Sequence, residues 1–196
     1  MIALAKESAV KKSIFITILS FFLLFVGFSS VVFSKEESST SAQTKTVARD
    51  YQLPYPGLLP DSRFYFLKTF RDNIIGMLIS DPLKKAEFNL LQADKRVGAS
   101  VSLLKKPNTD YVLVISTISK GQNYYEFSIA KIIEAEEQGE YTKNLLNTLQ
   151  DAAGKHVLVL SDMKKKMPSS YQASFKVLQQ RTDTLQKRVD EVALRQ

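Results

Sequence analysis

The sequence predicts an all-α protein, an antiparallel bundle of about five helices after one N-terminal transmembrane helix. Three observations lead there. Beyond residue 61, apolar residues recur at helical spacing to the end of the chain. Seven Gly and six Pro in 196 residues are too few for a turn-rich all-β chain. Ile14 to Phe33 is a run of 20 residues with no charge. At 1.5 Å per residue such a helix spans roughly 30 Å, the thickness of a bilayer's hydrocarbon core.

Residues 1–13 form a basic N-terminus, with Lys6, Lys11 and Lys12 against the single acid Glu7. The positive-inside rule puts this end in the cytoplasm and everything after Phe33 outside. The alternative is a cleaved signal peptide, which would leave the domain secreted. The apolar run is long for that, and no Ala-x-Ala site follows it. Residues 34–50 (SKEESSTSAQTKTVARD) are polar and aperiodic, as in a flexible tether. The domain then occupies residues 51–196.

Its first segment, residues 51–61, carries three Pro and Gly57 and cannot be a helix, yet Tyr51, Leu53, Tyr55, Leu58 and Leu59 make it apolar. An extended strap along the domain surface is expected. Helix one is expected over about 62–79, with Phe64, Leu67, Ile74 and Leu78 as its stripe. Asp81-Pro82 is an N-cap followed by a first-turn proline, opening helix two, whose inner face is Leu83, Ala86, Leu90, Ala93, Val97 and Leu104. Helix three runs from about 110 to 138. Its opening YVLVISTI is strand-prone alone but has no strand partner, Gly121 is a possible kink, and Gly139 a C-cap. Helix four covers about 141–166, with His156 among its inward positions, and Pro168 stops it. Helix five starts near Ser169 and carries Tyr171, Phe175, Leu178, Thr182, Leu185, Val189 and Val192, a heptad seam suited to shallow packing in a bundle or to pairing with a second copy.

Four motifs stand out: P-G-L-L-P-D-S at 56–62, Y-F-L-K at 65–68, D-P-L-K-K-A-E at 81–87 and A-D-K-R at 93–96; K-H-V-L-V-L at 155–160 is a weaker fifth. In these the chain resembles a family of bacterial extracytoplasmic helical domains known only as a domain of unknown function. The family pattern often has Pro where this chain has Arg63. The resemblance implies a signal or anchor segment and an α-helical fold, and it implies no activity.

Composition excludes most common enzyme constellations. With no Cys there is no disulfide, thiolate metal site or thiol nucleophile, and a single His excludes a multi-histidine cluster. No phosphate-binding glycine loop, G-x-S-x-G, H-E-x-x-H or EF-hand loop occurs. The weak metal or catalytic candidates are His156 with Glu87 or Asp94. Against them, Glu87 and Asp94 lie seven residues apart on one helix face, a separation suited to ion pairs with Lys or Arg of neighbouring helices. No cofactor and no catalysis are expected. The net charge is +7, of which residues 1–13 hold +2, leaving +5 for the exterior. Lys105-Lys106 and Lys164-Lys165-Lys166 could bind an anionic polymer or membrane surface, and Tyr55 and Leu58 of the strap could contact a protein partner. Sequence-specific nucleic-acid binding is not expected, because no aromatic-interleaved basic face is present. The reading that follows is a membrane-anchored extracytoplasmic interaction or structural module of the cell envelope.

Overall fold

The structure is a computed structural model that describes residues 51–195. It contains α1 (Tyr65–Leu78), α2 (Pro82–Leu104), α3 (Tyr111–Glu137), α4 (Lys143–Lys164), a 3-10 turn (Ser169–Tyr171) and α5 (Gln172–Ala193). No strand occurs among the described residues, and the strand-prone Tyr111–Ile118 stretch is the start of α3. The expected basic N-terminus (1–13), membrane segment (14–33) and tether (34–50) lie outside the described residues. Among the described residues no helix is long and apolar enough to cross a membrane.

Local chemistry sets the helix ends. The Asp81 carboxylate accepts from Lys84 N at 2.8 Å with Pro82 in the first turn, and Asp110 accepts from Leu113 N at 2.9 Å. Both satisfy backbone donors that no preceding turn can reach. At the end of α3, Gly139 sits at φ 79°, Gly139 N donates to Glu136 O, and Glu140 N reaches back to Ala135 O. This is a Schellman closure, which needs a residue that tolerates positive φ.

Helices α2 to α5 form the bundle. α2 and α3 approach most closely, followed by α4 and α5. Gly121 does not kink α3, which runs unbroken through it. A Cβ there would lie 3.0 Å from Arg96 Cβ and 3.3 Å from Ala93 O, so the glycine permits the close α2–α3 contact. Ser128 Oγ donates to Ala86 O at 2.7 Å across the same interface. The core divides along the bundle axis. One end is built around Leu90, Tyr125, Ile129, Ile132, Leu149 and Val189, the other around Val114, Ile118, Leu160, Met163, Phe175 and Leu178. Six of the seven seam residues of α5, Phe175 to Val192, are buried there, and Tyr171 stacks on Tyr111 at 5.3 Å. The seam is filled within this chain, so it offers no free face for the self-association considered above.

The strap, residues 51–60, runs parallel to α2. Tyr51 reaches Asp94, the Pro54 carbonyl lies 3.5 Å from where a Gly98 Cβ would be, and Asp61 reaches Lys106. The chain then reverses, and α1 returns antiparallel beside α2, Tyr65 against Arg96 and Gly76 against the Phe88 ring. Here the expected stripe is corrected. Phe64, Leu67, Ile74 and Leu78 do not face the bundle but solvent, because Tyr65, Lys68, Asp72 and Gly76 form the inward face instead. The inward side is made of polar and small groups that meet the strap and α2.

Candidate functional site

Polar groups from three elements meet at the centre of the bundle. Asp94, on the inner face of α2, holds its carboxylate between two partners. Its Oδ1 lies 2.7 Å from His156 Nε2 on α4, and its Oδ2 accepts from the Tyr51 hydroxyl of the strap at 2.5 Å. Asp94 and His156 are both buried. The ring of Tyr125 on α3 meets the His156 ring edge-on at 5.5 Å, and its hydroxyl donates to Leu149 O at 2.6 Å. Burial in the first place, and then the Asp94 carboxylate, push the Tyr51 hydroxyl far above the usual tyrosine range. Burial does the same to Tyr125. Both tyrosines are therefore neutral donors at any physiological pH.

The two carboxylates of α2 do not act together. Asp94 is bonded to His156 and Tyr51, and not to the Lys or Arg partners expected from sequence. Glu87 is exposed and lines a surface cleft of about 360 Å³ with Tyr51, Leu90, Leu91, Asp94, Asn144, Leu145 and Thr148. Among the described residues no three His, Asp or Glu side chains form a group that could hold a metal. An Asp–His pair can orient an imidazole for proton transfer, but that chemistry needs the second ring nitrogen or the carboxylate to meet a substrate. His156 borders a void of about 10 Å³, also lined by Gln122, Tyr125, Leu160 and Thr182, while Asp94 borders the surface cleft. The void is about the size of one water molecule. Gln122 borders it with an Oε1 that has no hydrogen-bond partner, while its Nε2 donates to Leu178 O and Thr182 Oγ1. What the arrangement does is connect strap, α2 and α4 through one buried carboxylate.

Two further contacts fasten the strap and α1. Lys68 Nζ donates to Pro56 O at 2.6 Å, and burial lowers the pKa of its ammonium. The Arg96 guanidinium lies between the rings of Tyr65 (5.4 Å) and Tyr124 (5.7 Å), joining α1, α2 and α3 by cation–π contacts. The motif residues singled out in the sequence thus join one another: Pro56 to Lys68, Tyr65 to Arg96, Asp94 to His156. Tyr51 lies outside those motifs, and sequence reasoning assigned it only to an apolar strap. The single signal pointing to it is a large aromatic with a polar tip at the start of the strap.

The surface candidates fall elsewhere. Lys105 and Lys106 follow α2 and Lys164, Lys165 and Lys166 close α4, at the same end of the bundle, since Leu103 and Met163 share one core cluster. Lys106 pairs with Asp61 at 2.5 Å, Lys165 pairs with Asp162 at 2.8 Å, and Lys164 is half-buried. Tyr55 and Leu58 are exposed on the strap.

The family of Domain of unknown function DUF5667 matches residues 57–192, most of the chain. The chain belongs to this family. Its DUF5667 region takes in α1 to α5 and the second half of the strap, while Tyr51 lies just upstream of the match. Neither curated proteins nor solved structures give a significant match.

Proposed function

We propose that this DUF5667 domain is a structural or interaction module of the bacterial cell envelope, held to the membrane by residues 14–33 with the domain outside, and that it works by binding without catalysis. The observation that carries this reading is the buried Asp94 carboxylate. The chain's one Asp–imidazole pair is bonded to the first residue of the strap, so its polar centre fastens the domain where the tether arrives. A buried, paired carboxylate of this kind rigidifies and specifies a fold. The test is capture from detergent-solubilised envelopes with the full chain as bait, under washes of rising salt. A specific envelope protein retained at high salt supports the module. A chain that retains none at any salt overturns it.

A second reading is electrostatic binding of an anionic polymer. It is favoured by the five lysines at one end of the bundle, each at a helix C-terminus. In the same experiment it predicts material that leaves as salt rises and that generic polyanion displaces.

A further inference from the structure

α1 is inside out. Its inward side carries Tyr65, Lys68, Asp72 and Gly76, while Phe66, Leu67, Phe70, Ile74, Met77 and Leu78 face outward, with Phe70 62% and Met77 83% exposed. At 3.6 residues per turn these six fall within an arc of about 120°, as wide as the stripe that an amphipathic helix normally buries. Among the described residues no other helix covers it, since α1 lies outside the α2–α5 packing. Exposed Arg63 precedes the face, exposed Arg71 borders it while paired with Asp72, and exposed Lys84 lies just beyond its C-terminal end beside Asp81, on the first turn of α2.

We propose that this face of α1 lies in the interface of the lipid bilayer, so that the domain rests on the membrane instead of floating above it. The proposal deepens the reading of residues 14–33 as an anchor and rests on it. The chemistry matches an interfacial helix, an apolar Phe, Leu, Ile and Met face edged by cations that meet anionic headgroups. The chain length matches too. Between Phe33 and Tyr51 stand residues 34–50, a tether that reaches roughly 60 Å when fully extended and about 23 Å as a random coil. Docking is then an intramolecular event at high effective concentration, so that even weak interfacial affinity suffices. A second copy is the competing occupant of the apolar face, and the label distances below distinguish it.

The absence of cysteine makes a direct test simple. Single substitutions Phe70→Cys and Met77→Cys on α1, and Val177→Cys on the exposed side of α5, are nitroxide-labelled in the full chain. The protein is reconstituted in phosphatidylcholine vesicles containing phosphatidylglycerol. Collision with oxygen, which concentrates in lipid, is compared with collision with a water-soluble nickel chelate. The expected result is an oxygen-to-nickel ratio severalfold higher at positions 70 and 77 than at 177. Equal ratios at all three sites place α1 in water and overturn the proposal. Dipolar broadening between α1 labels on separate chains shows a second copy on the face and also overturns it. An alkaline carbonate wash then reads the anchor separately. A chain that stays with the vesicles but shows water-exposed α1 labels keeps the anchor and loses the docking. A chain released by carbonate loses the anchor, and the ratios recorded before the wash still decide α1.

Discussion

α1 and α5 carry apolar residues at similar helical steps, and the fold treats them in opposite ways. The α5 seam closes the core, with Phe175 fully buried, whereas the α1 row from Phe66 to Leu78 is turned outward and a lysine and an aspartate face the protein. Periodicity identifies a helix and its apolar side. It does not say whether protein, lipid or another chain covers that side. The difference lies in what each helix can reach. α5 completes a four-helix arrangement through a short connection, while α1 arrives after the strap, beside an α2 that already has α3 and α4 against its inner face.

The comparison is broken most sharply by truncating one large side chain on each helix. Phe175→Ala should lose about 3–5 kcal/mol of unfolding free energy, from lost burial and the cavity left behind. Phe70→Ala should change it by less than about 0.5 kcal/mol, as at an exposed site. Urea unfolding followed by far-UV circular dichroism measures both, and losses of similar size would mean that α1 is packed after all. Next come the two inward aspartates. Asp94→Ala strands buried His156 and Tyr51 and should cost about 3 kcal/mol. Asp72→Ala should cost about 1 kcal/mol, since its partner is the exposed Arg71. A reversed order in the same assay would place the stabilising polar centre at α1.

The smallest effect is the most specific. Tyr51→Phe removes one hydrogen bond and should cost about 1 kcal/mol near neutral pH. The hydroxyl's pKa is raised in the folded protein, so the neutral form is favoured there. Its stabilising contribution is complete below about pH 10, where an unfolded tyrosine is also protonated. It is lost progressively above that pH, as the unfolded chain ionises first. Stability measured between pH 9 and 11 should therefore fall less steeply in Tyr51→Phe than in the parent, and parallel slopes would remove Tyr51 from the buried centre.

Much of the bundle is legible in the sequence because it rests on local rules. Asp81-Pro82, Pro168 and Gly139 mark boundaries through capping and turn chemistry, and the inner faces of α2, α4 and α5 follow from 3–4 spacing. The site was half legible. His156 and Asp94 stand out in the sequence as the one imidazole and one of two acids on a single face of α2, but their joining depends on how α2 and α4 are set against each other, which single-helix periodicity does not encode. Tyr51 needed the path of an irregular strap. Gly121 looked like a kink because its close approach to Arg96 and Ala93 involves residues far away in sequence. The outward turn of α1 was hidden for the same reason, since its inward face is selected by Arg96, Pro56 and Phe88 of other segments.

The short links between the bundle helices, residues 105–110, 138–142 and 165–171, bear on how quickly the domain forms. Each joins helices that are consecutive along the chain, so many of the core pairings need only small loops to close, and such topologies fold fast. The Tyr51 latch is different, since it holds a non-helical segment on the outside of the bundle through a side-chain bond to Asp94. Carrying no helical hydrogen-bond ladder of its own, the strap is the first part able to let go. Amide exchange at residues 51–60 should then report a small opening that leaves the bundle intact, separate from the slow exchange of the helices beneath it.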